Sequence, residues 1–263
     1  MRGLLHRIWL LAALTAASPA AAQTCTAPAP VCKAAESVVM ISSFEPVGSA
    51  VVIGDGLLVT NRHMVADNPA AKVTLPDGTV VQARVAPTDY PGDLVGLVAA
   101  GVTAPVLAHN ESPTLKTELY VIGFDVGREA VRVYAPGRLI LKRADTPFAR
   151  LHHDARSLPG NSGGALVDAE GRLVGIVASG GEGRNEAIAV SEIERLRAAT
   201  GPDKIEASQL IGREYVRCVE SLDRVRRARD PLTDDTSIEI EEACLATSNR
   251  QLMDEAGKIF GTR

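Results

Sequence analysis

The stretch from Val38 to Val190 is a succession of short apolar runs, rich in Val, Ile and Leu, which turn residues separate. Two of the turns, Gly54-Asp55-Gly56 and Pro76-Asp77-Gly78, are hairpin signals between neighbouring runs. Short apolar runs at such regular spacing predict β-strands and are typical of an all-β barrel or sandwich. Because about six runs lie on each side of residues 101–117, we expect a mainly β fold with two six-stranded antiparallel β-barrels.

The chain changes character on both sides of this strand-rich body. Arg2 and Arg7 precede an apolar run, and Ala20-Ala21-Ala22 suits cleavage before Gln23, which is typical of a signal peptide. After Ser191, apolar residues recur at helical spacing with charges between them, which predicts a short helical C-terminal extension. The expected divisions are a signal peptide at 1–22, a Cys/Pro-rich lead-in at 23–36, a strand-rich domain at 37–199 (barrel one at about 37–105 and barrel two at about 115–190), and the helical extension at 200–263.

Four cysteines remain after removal of the signal peptide: Cys25, Cys32, Cys218 and Cys244. Export places them in an oxidising compartment, so we expect two disulfides and not a zinc site. Of the three possible pairings we favour the local one, Cys25 with Cys32 and Cys218 with Cys244. The first bond staples the lead-in, which we expect to be extended. The second would staple two helices of the C-terminal extension, whose small apolar faces could not hold together alone.

The charge balance argues against some classes of partner. The chain carries 28 basic and 32 acidic residues, a net charge of −4, and loses two further basic residues with the signal peptide. Nothing in this mildly acidic sequence indicates a nucleic-acid partner. The apolar run of the signal peptide is too short to span a bilayer comfortably, with an uncleaved anchor as the alternative. We expect a secreted or periplasmic protein with no membrane contact after cleavage, and the sequence does not indicate its oligomeric state.

The strongest chemical signal is the motif Gly160-Asn161-Ser162-Gly163-Gly164, directly before an apolar run. A serine hydroxyl becomes an effective nucleophile when a neighbouring base takes its proton. Glycines on both sides let the backbone turn sharply and present N–H groups, so Gly160 and Ser162 are candidate donors to an oxyanion. A glycine-rich turn between strands, without chemistry, is the alternative.

The base must be a histidine, and four remain after the signal peptide. His63 follows a predicted strand, from whose end its ring can project into a cleft. His109 lies in the stretch between the two expected barrels. His152 and His153 suit half-buried strand positions or, with Asp154, a weak metal cluster.

The acid that orients the base is predicted at Asp93. It precedes an apolar run that has to be buried, so its carboxylate lies next to the core and can accept the Nδ1 proton of a histidine. Asp67 and Asp89 compete for this role, and turn formation is their other explanation.

Chain order separates two classes of serine hydrolase. The motif around Ser162 also satisfies the Gly-x-Ser-x-Gly elbow of α/β-hydrolases, in which the histidine follows the serine. No histidine follows Ser162 in this chain. The order His63, Asp93, Ser162 is that of the trypsin-like enzymes.

Three segments together resemble the trypsin-like serine peptidases, especially their bacterial branch: Thr60-Asn61-Arg62-His63, Asp93-Leu94 and residues 159–166. Gly175-Ile176-Val177 and residues 186–190 are similar to later strands of that family. The resemblance covers about residues 38–199. It implies a double β-barrel with a catalytic triad in the cleft between the barrels. No PDZ domain, which some bacterial members append, is apparent in the sequence.

The resemblance also implies an activity, the hydrolysis of peptide bonds in a polypeptide substrate through an acyl-enzyme. Ser162 would attack, His63 would move the proton, and Asp93 would fix the histidine tautomer. Gly160 and Ser162 would bind the oxyanion. No cofactor and no metal are expected. A catalytically inactive relative that binds a protein partner through the old cleft is the alternative.

The sequence departs from the family pattern at a few positions. Met64 follows His63 where alanine or valine is usual, and Gly96 interrupts the run after Asp93. Arg156 lies where this family often sets its specificity pocket; it would favour acidic substrates if it pointed inward, and it is otherwise a solvated loop residue. The expected substrate pocket comprises Arg156, Ala178, Ser179 and Gly180.

Overall fold

The computed structural model describes residues 25–45, 47–143, 150–179, 185–227 and residue 244. The signal peptide predicted at 1–22 lies outside these residues. Within them, antiparallel β-strands form two sheets, one in each half of the strand-rich body. The prediction of a mainly β protein is confirmed.

Barrel one is a closed sheet of six antiparallel strands in the order β1-β2-β3-β6-β5-β4. Apolar side chains such as Ile41, Val52 and Leu97 fill its interior. Both predicted hairpins are present, and Gly56 takes the positive φ of +63° that the first turn needs. The strands are β1 Val38–Ser42, β2 Gly48–Gly54, β3 Leu57–Thr60, β4 Ala70–Thr74, β5 Val80–Val85 and β6 Val95–Val98.

Barrel two closes because β7 pairs with both β9 and β11. The ring β7-β11-β12-β13-β10-β9 therefore has six antiparallel strands, while β8 adds a hairpin to the end of β7. The expectation of two six-stranded barrels is confirmed. The strands are β7 Glu118–Asp125, β8 Ala130–Val133, β9 Gly137–Arg143, β10 Arg150–His153, β11 Ala165–Asp168, β12 Leu173–Ser179 and β13 Asn185–Ala189.

The lead-in contains a disulfide and a short helix. Cys25 and Cys32 are bonded, as predicted. The expectation of an extended segment is wrong from Ala29 onward, where helix α1 runs over Ala29–Ala34. Pro30 lies in its first turn, where the missing N–H would have no helical partner in any case. The carbonyl of Pro30 packs against Gly171, which fixes α1 on barrel two.

Two helices follow barrel two, α2 over Glu192–Ala198 and α3 over Ile205–Arg227. Ser191 stands at the start of α2, but its side chain makes no capping hydrogen bond. Helix α3 packs back on barrel one, and the rings of Tyr215 and Phe44 are 6.1 Å apart in an edge-to-face arrangement. No helix in the described ranges is both long enough and apolar enough to span a bilayer.

The second predicted disulfide lies partly outside the described region. Cys244 is buried and disulfide-bonded. The side chain of its predicted partner, Cys218 on α3, is not among those described, so the pairing stays a prediction. Cys244 clusters with Ala66 and Tyr215, and this part of the extension therefore packs next to the residues that follow His63.

Candidate active site

His63 and Asp93 form a buried pair on barrel one. His63 lies in a single 3-10 turn, Arg62–Met64, directly after β3, and Asp93 lies two residues before β6, the neighbour of β3. The imidazole Nδ1 is 2.8 Å from Asp93 Oδ2, and the His63 backbone N–H donates to Oδ1 at 3.0 Å. Only 7% of His63 and 3% of Asp93 are exposed. The carboxylate thus fixes both the ring and the backbone of the histidine.

The backbone around the pair is held as well. The Asp93 carbonyl accepts hydrogen bonds from Asn61 Nδ2 at 3.0 Å and from the Arg62 N–H at 3.3 Å. The Arg62 side chain is fully buried, and its guanidinium donates to the Thr88 carbonyl at 3.4 Å. Burial lowers the pKa of Arg62 to about 10 although Asp93 opposes this shift, so Arg62 keeps its charge at neutral pH.

Asp93 stays ionised despite its burial. Burial alone raises the pKa of this carboxyl, but the facing His63 and the cation of Arg150 lower it, and the net pKa lies below the ordinary value. Next to this pair, the Tyr90 hydroxyl donates to Glu192 Oε2 at 2.8 Å, and burial together with Glu192 raises the pKa of Tyr90. An ionised carboxylate at this distance from Nδ1 can accept a proton from it, which is the arrangement that leaves Nε2 of a histidine as the basic nitrogen.

Ser162 lies on a tight turn that precedes β11 on barrel two. Gly160 and Gly163 have φ angles of +95° and +81°, which favour glycine. The amides of Asn161, Gly163 and Gly164 donate to backbone carbonyls. Within the described part of the chain, the amides of Gly160 and Ser162 donate no hydrogen bond. These are the two N–H groups that the sequence predicts as oxyanion donors.

The serine turn and the histidine turn meet at β2. The Ser49 N–H donates to the Ser162 carbonyl at 2.8 Å, and a Cβ on Gly48 would contact both this carbonyl and the side chain of Met64. Met64 therefore fits where the family has a smaller residue because Gly48 leaves room for it. The Ser162 hydroxyl donates to the Ala178 carbonyl at 3.3 Å, and Ser162 is partly exposed.

The buried hydroxyl of Ser49 links the two barrels and was not singled out from the sequence. It donates to the Gly160 carbonyl at 2.7 Å and accepts from the Phe124 N–H at 2.8 Å. The Ser49 carbonyl in turn accepts from Thr60 Oγ1 at 2.8 Å. A serine in an apolar strand gives no signal of this role, because its partners lie 75 and 111 residues away.

This geometry agrees with one protein family. Residues 48–176 match the model of the trypsin-like peptidase domain. The chain contains a trypsin-like peptidase domain. The match spans the histidine turn, Asp93 and the serine turn, which are the segments that the sequence resemblance used.

Relatives of this trypsin-like peptidase domain include bacterial serine endoproteases. A probable periplasmic DegP-like serine endoprotease of Pseudomonas putida (strain GB-1) is 34% identical over 139 residues, which are 50% of this chain and 29% of the relative. The Do-like serine protease HtrA of Lactobacillus helveticus is 33% identical over 142 residues, 49% of this chain and 34% of the relative. The crystal structure of a serine endoprotease from Yersinia pestis superposes with a TM-score of 0.57 at 27% identity, covering 64% of each chain. The chain thus spans about a third of the length of the curated relatives it matches.

The other candidate acids and bases lie away from the site. Asp89 pairs with Lys204 at 2.9 Å, and Asp67 is exposed. His109 is exposed in the segment between the barrels. His152 lies 3.4 Å from Glu186, whereas His153 is buried inside barrel two. The fold of the trypsin-like peptidase domain thus brings together the predicted base His63 and the predicted acid Asp93.

The predicted substrate pocket is only partly described. Arg156 is exposed, as a solvated loop residue would be. Ala178 lies beside Ser162, which places the end of β12 next to the serine. Ser179 ends this strand, and neither its side chain nor Gly180 is among the described parts. The pocket assignment stays a prediction.

Glu45 is a second carboxylate near His63, and it was missed from the sequence. The N–H groups of Phe44 and Glu45 donate to the Met64 carbonyl at 3.1 and 3.3 Å, so the β1–β2 loop lies on the histidine turn. Burial raises the pKa of Glu45, and His63 nearby opposes this shift. Only the tertiary structure brings this loop to the histidine, so no sequence pattern indicated it.

Proposed function

We propose that this chain is an exported serine endopeptidase with His63, Asp93 and Ser162 as its triad. The observation that carries the proposal is the buried 2.8 Å contact between His63 Nδ1 and Asp93 Oδ2 on one barrel, next to the glycine-rich turn of Ser162 on the other. The proposal is supported by the match to the trypsin-like peptidase domain and by relatives named serine endoproteases. The relatives named periplasmic, and the Cys25–Cys32 disulfide, support a periplasmic or secreted location.

The reaction proceeds in two halves. The Ser162 hydroxyl turns from Ala178 towards His63, loses its proton to Nε2 and bonds to the scissile carbonyl carbon, while the oxyanion takes hydrogen bonds from the Gly160 and Ser162 amides. The imidazolium then gives its proton to the leaving amine as the C–N bond breaks, which leaves an acyl-enzyme. In the second half His63 takes a proton from water and the hydroxide attacks the ester carbon. The imidazolium then returns its proton to Ser162 Oγ as the ester C–O bond breaks, which releases the acid product and free Ser162.

Covalent labelling with a fluorophosphonate tests this function. The wild-type protein is expected to incorporate one equivalent of the reagent, and Ser162→Ala to incorporate none. Ser191→Ala, which removes an exposed hydroxyl elsewhere, is expected to label like the wild type. Labelling that persists in Ser162→Ala would falsify the assignment of the nucleophile. A folded wild-type protein that does not label would support the inactive binding module instead.

A further inference from the structure

A groove of about 680 Å³ lies between the two barrels beside the candidate active site. Its volume is within the range of pockets that enclose small ligands, so it has room for a short peptide segment. Barrel one contributes β1, the residue before β2 and the β4–β5 turn, and barrel two contributes the β7–β8 hairpin. We call it the inter-barrel groove; its apolar lining includes Met40, Val47, Leu75, Phe124, Val126 and Val131.

The inter-barrel groove is continuous with the serine turn. A Cβ on Gly160 would lie 2.6 Å from the Phe124 carbonyl oxygen and 2.9 Å from Val126 Cγ2, so this wall touches the predicted oxyanion donor. On the other wall Val47 precedes Gly48, which packs against the Ser162 carbonyl. Both walls therefore reach the backbone around Ser162.

The direction in which a substrate chain binds depends on the residues that lie on the side of Ser162 away from the inter-barrel groove. There the Ser162 hydroxyl contacts Ala178 at the end of β12, where we expect the pocket for the residue before the scissile bond. If the residues before the scissile bond lie along β12 with the scissile carbonyl at Ser162, the residues after this bond run towards Val47 and Val126 and into the inter-barrel groove.

The lining of the groove indicates which side chains fit it. Its walls are mostly apolar, and half of the Val126 side chain is exposed, so an occupant gains by removing this surface from water. Among the described residues, the ionisable side chains in the lining are Glu36 and Glu129, and both are exposed. Two carboxylates at an apolar groove favour an occupant that carries a positive charge.

We propose that the inter-barrel groove binds the residues of the polypeptide substrate that follow the scissile bond, and that it selects apolar side chains there together with a basic side chain near Glu36 and Glu129. This inference rests on the proposed peptidase function. It assigns to the groove a specificity that acts on the leaving part of the substrate.

Cleavage of a peptide library that varies only the positions after the scissile bond tests the inference. Enrichment of apolar residues and of Lys or Arg at these positions is the expected result. An enzyme that labels with fluorophosphonate at Ser162 but cleaves without preference at these positions overturns the inference and leaves the proposed function intact. Absence of Ser162-dependent labelling overturns both.

Variants of the groove separate its two chemical features. Replacing Glu36 and Glu129 together by Gln is expected to lower kcat/KM for peptides with a basic residue in the leaving part about three- to fivefold, and to leave neutral peptides unchanged. Val126→Asp is expected to lower kcat/KM for apolar leaving parts about tenfold. Glu111→Gln and Val106→Asp, exposed residues outside the groove, are the matched controls.

A short ester or anilide whose leaving group contains no amino acid gives the decisive comparison. Such a substrate does not reach the groove, so the variant that carries both Glu36→Gln and Glu129→Gln is expected to hydrolyse it at the wild-type rate. Equal losses on this substrate and on the peptides would show that the variants damage the active site itself, and would overturn the inference.

Discussion

The two barrels hold their parts of the candidate site in different ways. Barrel one holds His63 by side chains, because both oxygens of the buried Asp93 bond to this residue. Barrel two holds Ser162 by backbone shape, with positive φ angles at Gly160 and Gly163. The hydroxyl that supports the serine turn, Ser49 Oγ, belongs to barrel one.

This difference indicates that the serine turn depends on barrel one more than the His63–Asp93 pair depends on barrel two. Both hydrogen bonds between His63 and Asp93 lie within barrel one, although the cation of Arg150 on β10 also acts on Asp93. The serine turn, in contrast, needs a strand of its neighbour to satisfy the Gly160 carbonyl and the Phe124 N–H. Changes to the pair are therefore expected to affect the chemistry and leave the fold intact. Changes at Ser49 are expected to affect both the chemistry and the stability of the fold.

Asp93→Asn gives the largest expected effect. The amide keeps the shape of the side chain but favours the wrong tautomer of His63, so kcat is expected to fall by about 10⁴ with little change in the unfolding temperature. Steady-state kinetics on a cleavable peptide and thermal unfolding check this. Asp89→Asn, which breaks only the ion pair with Lys204, is the control and is expected to keep wild-type kinetics. A loss below about tenfold in Asp93→Asn would show that barrel one does not orient its histidine through this contact.

His153 makes the stability of barrel two depend on pH. Burial disfavours the imidazolium and lowers the pKa of His153 from 6.5 to about 4, although Asp154 nearby partly opposes this. Between these values the unfolded chain binds a proton that the folded protein does not. The stabilisation is thus fully present above about pH 6.5 and is lost as pH falls to about 4, by about 3 kcal/mol.

Urea unfolding at pH 7 and pH 4.5 measures this loss. His153→Leu, with a side chain of similar size that does not titrate, is expected to lose less stability between the two pH values than the wild type. His109→Gln, at an exposed position, is expected to behave as the wild type. The same loss in His153→Leu and the wild type would place the acid sensitivity elsewhere.

Ser49→Ala tests whether the serine turn depends on barrel one. The change leaves the buried Gly160 carbonyl and Phe124 N–H without their shared partner, which is expected to cost about 2 kcal/mol of unfolding free energy. It also loosens the predicted oxyanion donor, so kcat is expected to fall about tenfold. Chemical denaturation and kinetics measure the two effects together. Ser42→Ala on β1 is the control, and equal behaviour of the two variants would refute the dependence.

The sequence predicted the features that local patterns encode. Short apolar runs and turn residues such as Pro76-Asp77-Gly78 predicted the barrels, because strand and turn preferences act over a few neighbouring residues. The order of His63, Asp93 and Ser162 indicated the trypsin-like family, and the family match over residues 48–176 confirms this. The lead-in was predicted incorrectly because Pro30 suits both an extended chain and the first turn of a helix.

The features that the sequence did not predict depend on long-range contacts. Ser49, Glu45 and Arg150 act on groups far away in the chain, and their own neighbours are ordinary strand and loop residues. Arg62 is adjacent to His63, yet a charged side chain next to a cleft gives no reason to expect full burial. Such positions become recognisable only when the two barrels and the C-terminal helix are packed together.

Gly212→Ala gives the smallest expected effect. It tests whether α3 supports the residues after His63, and so whether barrel one holds its part of the site without help from this helix. Alanine is favoured over glycine inside a helix by about 1 kcal/mol, so propensity alone predicts a gain in stability. A Cβ on Gly212, however, would lie 2.5 Å from the Ala66 carbonyl oxygen and 2.6 Å from Asp67 Cα, backbone atoms that cannot turn away. Since overpacking typically costs about 1–3 kcal/mol, the clash is expected to outweigh the propensity. The unfolding temperature is then lowered, whereas Gln209→Ala on the exposed side of α3 leaves it unchanged. An increase in Gly212→Ala would show that α3 does not press on the residues after His63, and that barrel one holds its histidine without this helix.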